Sequence, residues 1–369
     1  MRNPRNTMAK PSELNTSGDL MSKLSLLLLS LGHAETTSAW QAISREEFDA
    51  LVALADSNHV IVRAMEILRG IMLEAGDSTR AEWAQTALDA ERARIAKAVD
   101  FLAEICGAFQ ADQLDVTVMK SLDHWPDLGS DLDLYSNADP QTICAMMIRR
   151  FGAQIAHRSW GDRLACKWNF EIPGLPEPVE VHIGRLGQTG EQTLLASRLP
   201  GRSRSVQMNG HTFRVPSASD RLMISTLQRM YRHFYFRLCD IVDSATLVTS
   251  RDLDCRELRS AAHDVGIWEG VATYLTIVSD YVRQYRGTDL GLPQFVKDSA
   301  RFGGDLVYFA RDFIRVPIMP QSAGLYRTQL TGLLRKRALT SSVRLGLLPW
   351  LATAAAVGYK LTGSDKGIW

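Results

Sequence analysis

Apolar positions divide the chain into three textures. Residues 1–20 are polar, carry Pro4, Pro11 and Gly18, and read as a loose N-terminal tail. From Ser22 to about Phe109 apolar side chains return at three- and four-residue spacing, as in Leu51, Leu54, Ile61, Ala64, Met65 and Leu68. The later set Ile95, Val99, Leu102, Ile105 and Phe109 forms one stripe. Ser44 with Glu47 three residues on is a capping box, so a helix is expected to start there. Residues 21–110 are therefore expected to form a helical region.

At Asp115 the texture changes. Asp115–Lys120 is short and rich in β-branched residues and predicts a strand. A second strand is expected at Asp131–Tyr135, a helix at Pro140–Phe151, a third strand at Leu164–Phe170 and a fourth at Val179–Ile183. A Gly/Ser/Arg-rich loop at Gly201–Ser205 and a brief strand at His211–Val215 complete an α/β core over 111–216. Ser217-Ala218-Ser219-Asp220 then starts a helix carrying Leu222, Ile224, Leu227, Met230 and Phe234. A C-terminal helical region fills 217–369, broken near Gly287–Pro293 and Pro317–Pro320. The predicted class is α+β: a small mixed β-sheet core with helical domains on both sides.

Composition bounds what such a fold does. In 369 residues, a hydrophobic fraction of 46% is ample for a globular core, and 42 basic against 41 acidic residues leave a net charge of +1. With no global field to draw the protein onto a polyanion, long nucleic acid is not the expected partner. The cysteines at 106, 144, 166, 239 and 255 include no C-x-x-C pair, which argues against a disulfide framework or zinc site and for a reducing cytoplasm. The run Leu24–Ala34 has the length of a signal-peptide core, but Glu13 and Asp19 interrupt its basic flank, so it reads as a buried helix. Leu345–Val357 is apolar, holds Pro349 and Trp350, and falls short of the ~18–20 residues of a membrane span. It is expected to be a core helix, with peripheral membrane contact as the rival reading.

The candidate chemistry lies in the strands. Side chains alternate across a strand, so Asp131 and Asp133 share one face while Leu132 and Leu134 share the other. Two carboxylates side by side call for a cation between them, and Mg²⁺ suits oxygen ligands. Glu180 and His182 share a face in the same way, which makes Glu180 available as a third acid. Lys120, the Ser121 hydroxyl and the N–H groups that follow end the first strand and are placed to meet phosphate oxygens. His233, Arg237 and Asp240, spaced by four and three, fall on one face if that stretch is helical. The alternatives are an ion pair between Arg237 and Asp240, a hydrogen-bonded strand-end His182, and solvated arginines at 198, 202 and 204.

This order of strand, small polar turn, nine residues and Asp-Leu-Asp-Leu resembles the signature of the DNA polymerase β-type nucleotidyltransferase superfamily. More narrowly, the chain is similar to a bacterial family described as uncharacterised nucleotidyltransferases, over about residues 20–250. The resemblance rests on Val118-Met119-Lys120-Ser121, Ser130-Asp131-Leu132-Asp133-Leu134, Val179-Glu180-Val181-His182, Pro216–Asp220 and His233–Ile241. It implies that Asp131, Asp133 and Glu180 hold one or two Mg²⁺ (or Mn²⁺) and carry catalysis. It further implies that Lys120, Ser121, Ser130 and Arg237 face the nucleotide, with His182, His233 and Asp240 in support. The implied reaction moves an NMP from an NTP, ATP first among them, to a hydroxyl-bearing acceptor with loss of pyrophosphate. A catalytically silent nucleotide-binding or regulatory protein on the same fold is the alternative. Two departures stand out. The family usually has Lys-Gly where this chain has Lys120-Ser121, and an Arg common before the acidic pair is replaced by Asp127-Leu128-Gly129.

Overall fold

The computed structural model describes residues 11–30, 40–187, 191–250, 252–348 and 350. Its N-terminal part is helical: α1 (Pro11–Leu29), α2 (Arg45–Ser57), α3 (Ile61–Glu74) and the long α4 (Ser78–Ala111). The expected tail over 1–20 is thus shortened, because helix already begins at Pro11. Leu24, Leu27 and Leu29 of the leucine-rich run are buried, and the Ser25 hydroxyl lies 2.8 Å from the Tyr281 hydroxyl. Ser44 and Glu47 close the expected capping box on α2. The α4 stripe of Ile95, Val99, Leu102, Ile105 and Phe109 is fully inside.

The central sheet is built from β1 (Thr117–Met119), β2 (Leu132–Ser136), β3 (Gln154–Ile155), β4 (Lys167–Glu171) and β5 (Val179–Ile183), in the order β1-β2-β5-β4-β3. It is mixed: β2 runs parallel to β5, and the other pairings are antiparallel. A parallel pair needs a crossover, and α5 (Pro140–Phe151) opens it, starting on an Asp139 cap and Pro140 and stopping at left-handed Gly152. The short α6 (Trp160–Leu164) occupies the front of the segment expected to be the third strand, so β4 starts three residues late. Leu132, Leu134, Val179 and Val181 are buried on one face and leave Asp133, Glu180 and His182 on the other.

The basic segment at 201–205 is not a loop. It ends α7 (Glu191–Arg202) and opens β6 (Arg204–Met208), which pairs with β7 (His211–Val215). Asn209 and Gly210 make the two-residue turn with φ of 49° and 80°, the geometry for which Asn-Gly is suited. Next come α8 (Ala218–Gln228), a wide turn at Arg229–His233, β8 (Tyr235–Phe236) and α9 (Leu238–Thr249). His233, Arg237 and Asp240 therefore do not share a helix, because left-handed Phe234 and a strand break the run. Helices α10 (Cys255–Val265), α11 (Trp268–Arg286) and α12 (Gln294–Ser299), strands β9 (Tyr308–Ala310) and β10 (Phe313–Arg315), and α13 (Ala323–Arg335) follow. Strands β8, β10 and β9 form a second small sheet, and α11 packs on α1, α8, α9, α10 and α12. Most of the apolar segment Leu345–Val357 lies outside the described residues; among these, no helix is long and apolar enough to cross a membrane.

Candidate active site

The acidic face of the sheet opens on a cleft of about 220 Å³ whose far wall is the segment 228–237. Parallel register sets Asp133 beside Glu180, and the antiparallel neighbour sets Met119 beside Asp133. Lys120, one residue past β1, thereby reaches Asp133 and forms an ion pair with it. It does so from a backbone φ of 53°, a conformation that costs a non-glycine residue about 1–3 kcal/mol. Glu180 is held by Lys167 Nζ at 2.8 Å, which also reaches Asp162 Oδ1 at 3.1 Å.

His182 Nε2 lies 3.4 Å from Asp133 Oδ1 and 3.8 Å from Glu180 Oε2. Burial first, and Lys120 after it, lower its pKa to about 3, so the ring is neutral and offers one nitrogen lone pair. Asp131, in the turn that enters β2, and Asp133 are both pushed up to about 6 by burial. For Asp131 the charge of Asp133 adds to the rise. Burial works against ionisation of Glu180 as well, yet Lys120 and Lys167 overcome it and hold this carboxylate well below its usual range.

The donor set fits a divalent metal ion. Asp133 Oδ1 and both ring nitrogens of His182 are buried without a well-aligned hydrogen bond, and Asp133, Glu180 and His182 bring ligand atoms within 4.8 Å of one another. The sequence reading put Asp131 with Asp133 and Glu180. The tighter group substitutes His182 for Asp131, whose Oδ1 lies 3.5 Å from Ser130 Oγ at the mouth.

The expected site residues Lys120, Ser121, Ser130, Asp131, Asp133, Glu180, His182, His233 and Arg237 all line the cleft. Asp240 does not. It is buried behind it, accepting the Arg237 backbone N–H at 2.7 Å and pairing with Arg229 at 2.8 Å. The expected ion-pair partner Arg237 is thus replaced by Arg229. Ser121 also departs from expectation, since its hydroxyl accepts the Asp133 N–H at 2.7 Å and lies 3.2 Å from the Asp131 carbonyl. It staples the turn to β2.

Sequence reasoning missed His59, His124, Lys167, Arg229, Arg232 and Tyr235, all on the cleft wall. Three basic residues among Arg229–His233 were a visible signal, whereas His59 and His124 come from segments with no motif. His124 is tied to Asp243 at 2.6 Å. Burial opposes its protonation, but contacts with Cys239 and Asp243 hold its pKa well above the usual range. Asp127, in the stretch before the acidic pair, accepts Arg63 Nε at 2.7 Å and the Val62 N–H at 2.6 Å. Arg63 continues to Asp243 at 2.7 Å and to the His124 carbonyl at 2.8 Å.

Residues 44–283 match the model of a family described as uncharacterised nucleotidyltransferase. The chain belongs to that family. The family name thus falls on the part of the chain that holds the carboxylates, the β1–β2 turn and the basic wall. No curated protein matches. Among solved structures, an antigenic nucleotidyltransferase-like protein from Paracoccidioides brasiliensis is similar at 13% identity and a TM-score of 0.29. The match covers 47% of this chain and 88% of that one.

Proposed function

We propose that this nucleotidyltransferase family member is a Mg²⁺-dependent enzyme that moves an NMP from an NTP, with ATP the first choice, to a hydroxyl-bearing acceptor and releases pyrophosphate. The observation that carries the reading is one cleft with acids on one wall, Asp131, Asp133 and Glu180, and cations on the other, Arg229, Arg232 and Arg237. Asp131, Asp133 and Glu180, with His182 beside them, would hold the ion. When bound, it would polarise the α-phosphoryl group and offset charge on the attacking oxygen.

The chain's own groups do the rest. Lys120, paired with Asp133, stands at the end of β1 where it would meet the departing phosphates. Arg237 and Arg232 offset the charge that builds on pyrophosphate, and Arg229 is held rigid by Asp240. Glu180 stays ionised and serves either as a ligand of the ion or as the acceptor of a hydroxyl proton. A cleft of about 220 Å³ suits the phosphate portion of an NTP, with the base at the rim near Tyr235. Five free thiols support a cytoplasmic location.

A second reading, a silent nucleotide-binding protein, is favoured by one observation: Lys120 and Lys167 already neutralise Asp133 and Glu180 without an ion. The test offers each of the four NTPs, labelled at the α-phosphate, with Mg²⁺ and cell extract as the source of acceptor. The enzyme reading expects label transfer and pyrophosphate from the parent and neither from the Asp131→Asn, Asp133→Asn double variant. NTP binding with no transfer to any acceptor establishes the silent reading, and transfer that survives the double change refutes the site.

A further inference from the structure

A larger cavity, about 920 Å³, lies between the α10–α11 junction, the end of β5 and α13, and shares no lining residue with the acidic cleft. Its volume falls within the ~300–1,000 Å³ of small-molecule sites. The floor is apolar, from Val265, Trp268 and Leu333, and the walls are basic: Arg185, Arg301, Arg327, Arg335, Lys336 and Arg344 against two acids, Asp264 and Glu269.

Three of these cations are occupied. Arg185 donates to the Leu164 carbonyl at 3.1 Å, Lys336 to the Asp264 carbonyl at 3.0 Å, and Arg301 lies 3.8 Å from Glu269. Arg327, Arg335 and Arg344 make no ion pair with any described residue, and Arg344 Nη1 is buried with no acceptor. Two further polar groups are 2% exposed and unpartnered on the same lining, Trp268 Nε1 and Gln329 Nε2. Buried polar groups without partners cost free energy, and of the four on this lining three are N–H donors, the fourth being the acceptor Gln321 Oε1.

We infer that this cavity is a second ligand site that takes an amphipathic organic anion, a carboxylate or phosphate head on an apolar body. The body lies along Trp268, Val265 and Leu333, the head meets Arg327 and Arg344, and Trp268 and Gln329 donate to it. The inference does not depend on nucleotidyl transfer.

Binding of 8-anilinonaphthalene-1-sulfonate, an aromatic anion that fluoresces when sheltered from water, tests this on the full chain. The parent should bind one equivalent, with energy transfer from tryptophan that drops in Trp268→Phe. The pair Arg327→Gln and Arg344→Gln should weaken binding by about tenfold or more. Gly332 lines the cavity on α13 and has nothing within 4 Å of an added Cβ. Gly332→Phe should therefore abolish binding while the melting temperature holds, so the test survives even if the arginine variants fold poorly. Decanoate and decyl phosphate, as competitors, assign the head group. Displacement by neither, unchanged binding in Gly332→Phe, or equal affinity for the uncharged N-phenyl-1-naphthylamine overturns the inference. So does displacement of the dye by Mg²⁺ and NTP, which would put it in the acidic cleft.

Discussion

Asp131 and Asp133 are costly to ionise where they stand. With folded pKa values about 6 against the ordinary 3.8, their protonation favours the fold. That contribution is complete below the unfolded pKa and is lost as the pH rises through about 6. At neutral pH the ion-free protein therefore bears two reluctant carboxylates, which a bound divalent cation would relieve. Asp131→Asn is expected to raise the melting temperature by a few degrees at pH 7.5 in EDTA, with the gain vanishing at pH 4. Mg²⁺ should raise the melting temperature of the parent more than that of the variant. A scan of melting against pH and Mg²⁺ decides it, and equal Mg²⁺ response in both would dismiss Asp131 as a ligand. Across the cleft, Arg237 Nε is buried without an acceptor. Arg237→Gln should weaken NTP binding by about tenfold, read by calorimetry, and leave melting unchanged because its backbone N–H still bonds Asp240. At this scale the acids were legible, since period-two alternation names the face. The neutral state of His182 and the capture of the Ser121 hydroxyl were not, because both arise from neighbours distant in sequence.

Elements reached the cleft wall by means that local patterns record unevenly. The α5 helix, Val179–Ile183 and His211–Val215 lie where apolar periodicity and caps put them. The break at Phe234 was hidden, because an aromatic residue at a φ of 56° gives no sequence warning and the apolar spacing runs straight across it. Of the hairpin β6–β7 only β7 was expected, because the arginines and serines that lead into β6 read as loop. What fixes the β1–β2 turn is equally nonlocal. Arg63 on α3 gathers Asp127 from that turn and Asp243 from α9, with side-chain exposures of 15%, 1% and 12%. Removing one member strands the others, so Arg63→Met should cost about 3–5 kcal/mol in urea unfolding. A loss under 1 kcal/mol would show that the turn is held by other contacts.

Among the described residues one continuous apolar interior runs from Leu20 in α1 through the sheet to Leu325 in α13. The helical and α/β stretches suggested by the sequence are therefore distinct in texture yet share one core. The reason is α11: Trp268, Val271, Ala272, Thr273, Tyr274 and Ile277 are buried on different sides of it, and it meets α1 on one side and α8, α9 and α10 on others. An element enclosed on every side cannot lose one neighbour without exposing the rest, which couples the first helix to the helices behind the cleft. Calorimetry should accordingly show one cooperative transition with van't Hoff and calorimetric enthalpies equal. Leu24 is fully buried in α1, and Leu24→Ala should cost about 2–5 kcal/mol and lower that single transition as a unit. The Mg²⁺-dependent shift in melting must move with it, although Leu24 touches nothing in the cleft. Two transitions in the variant, with the Mg²⁺ response confined to the upper one, would mean that the helical N-terminal region folds apart from the site it covers.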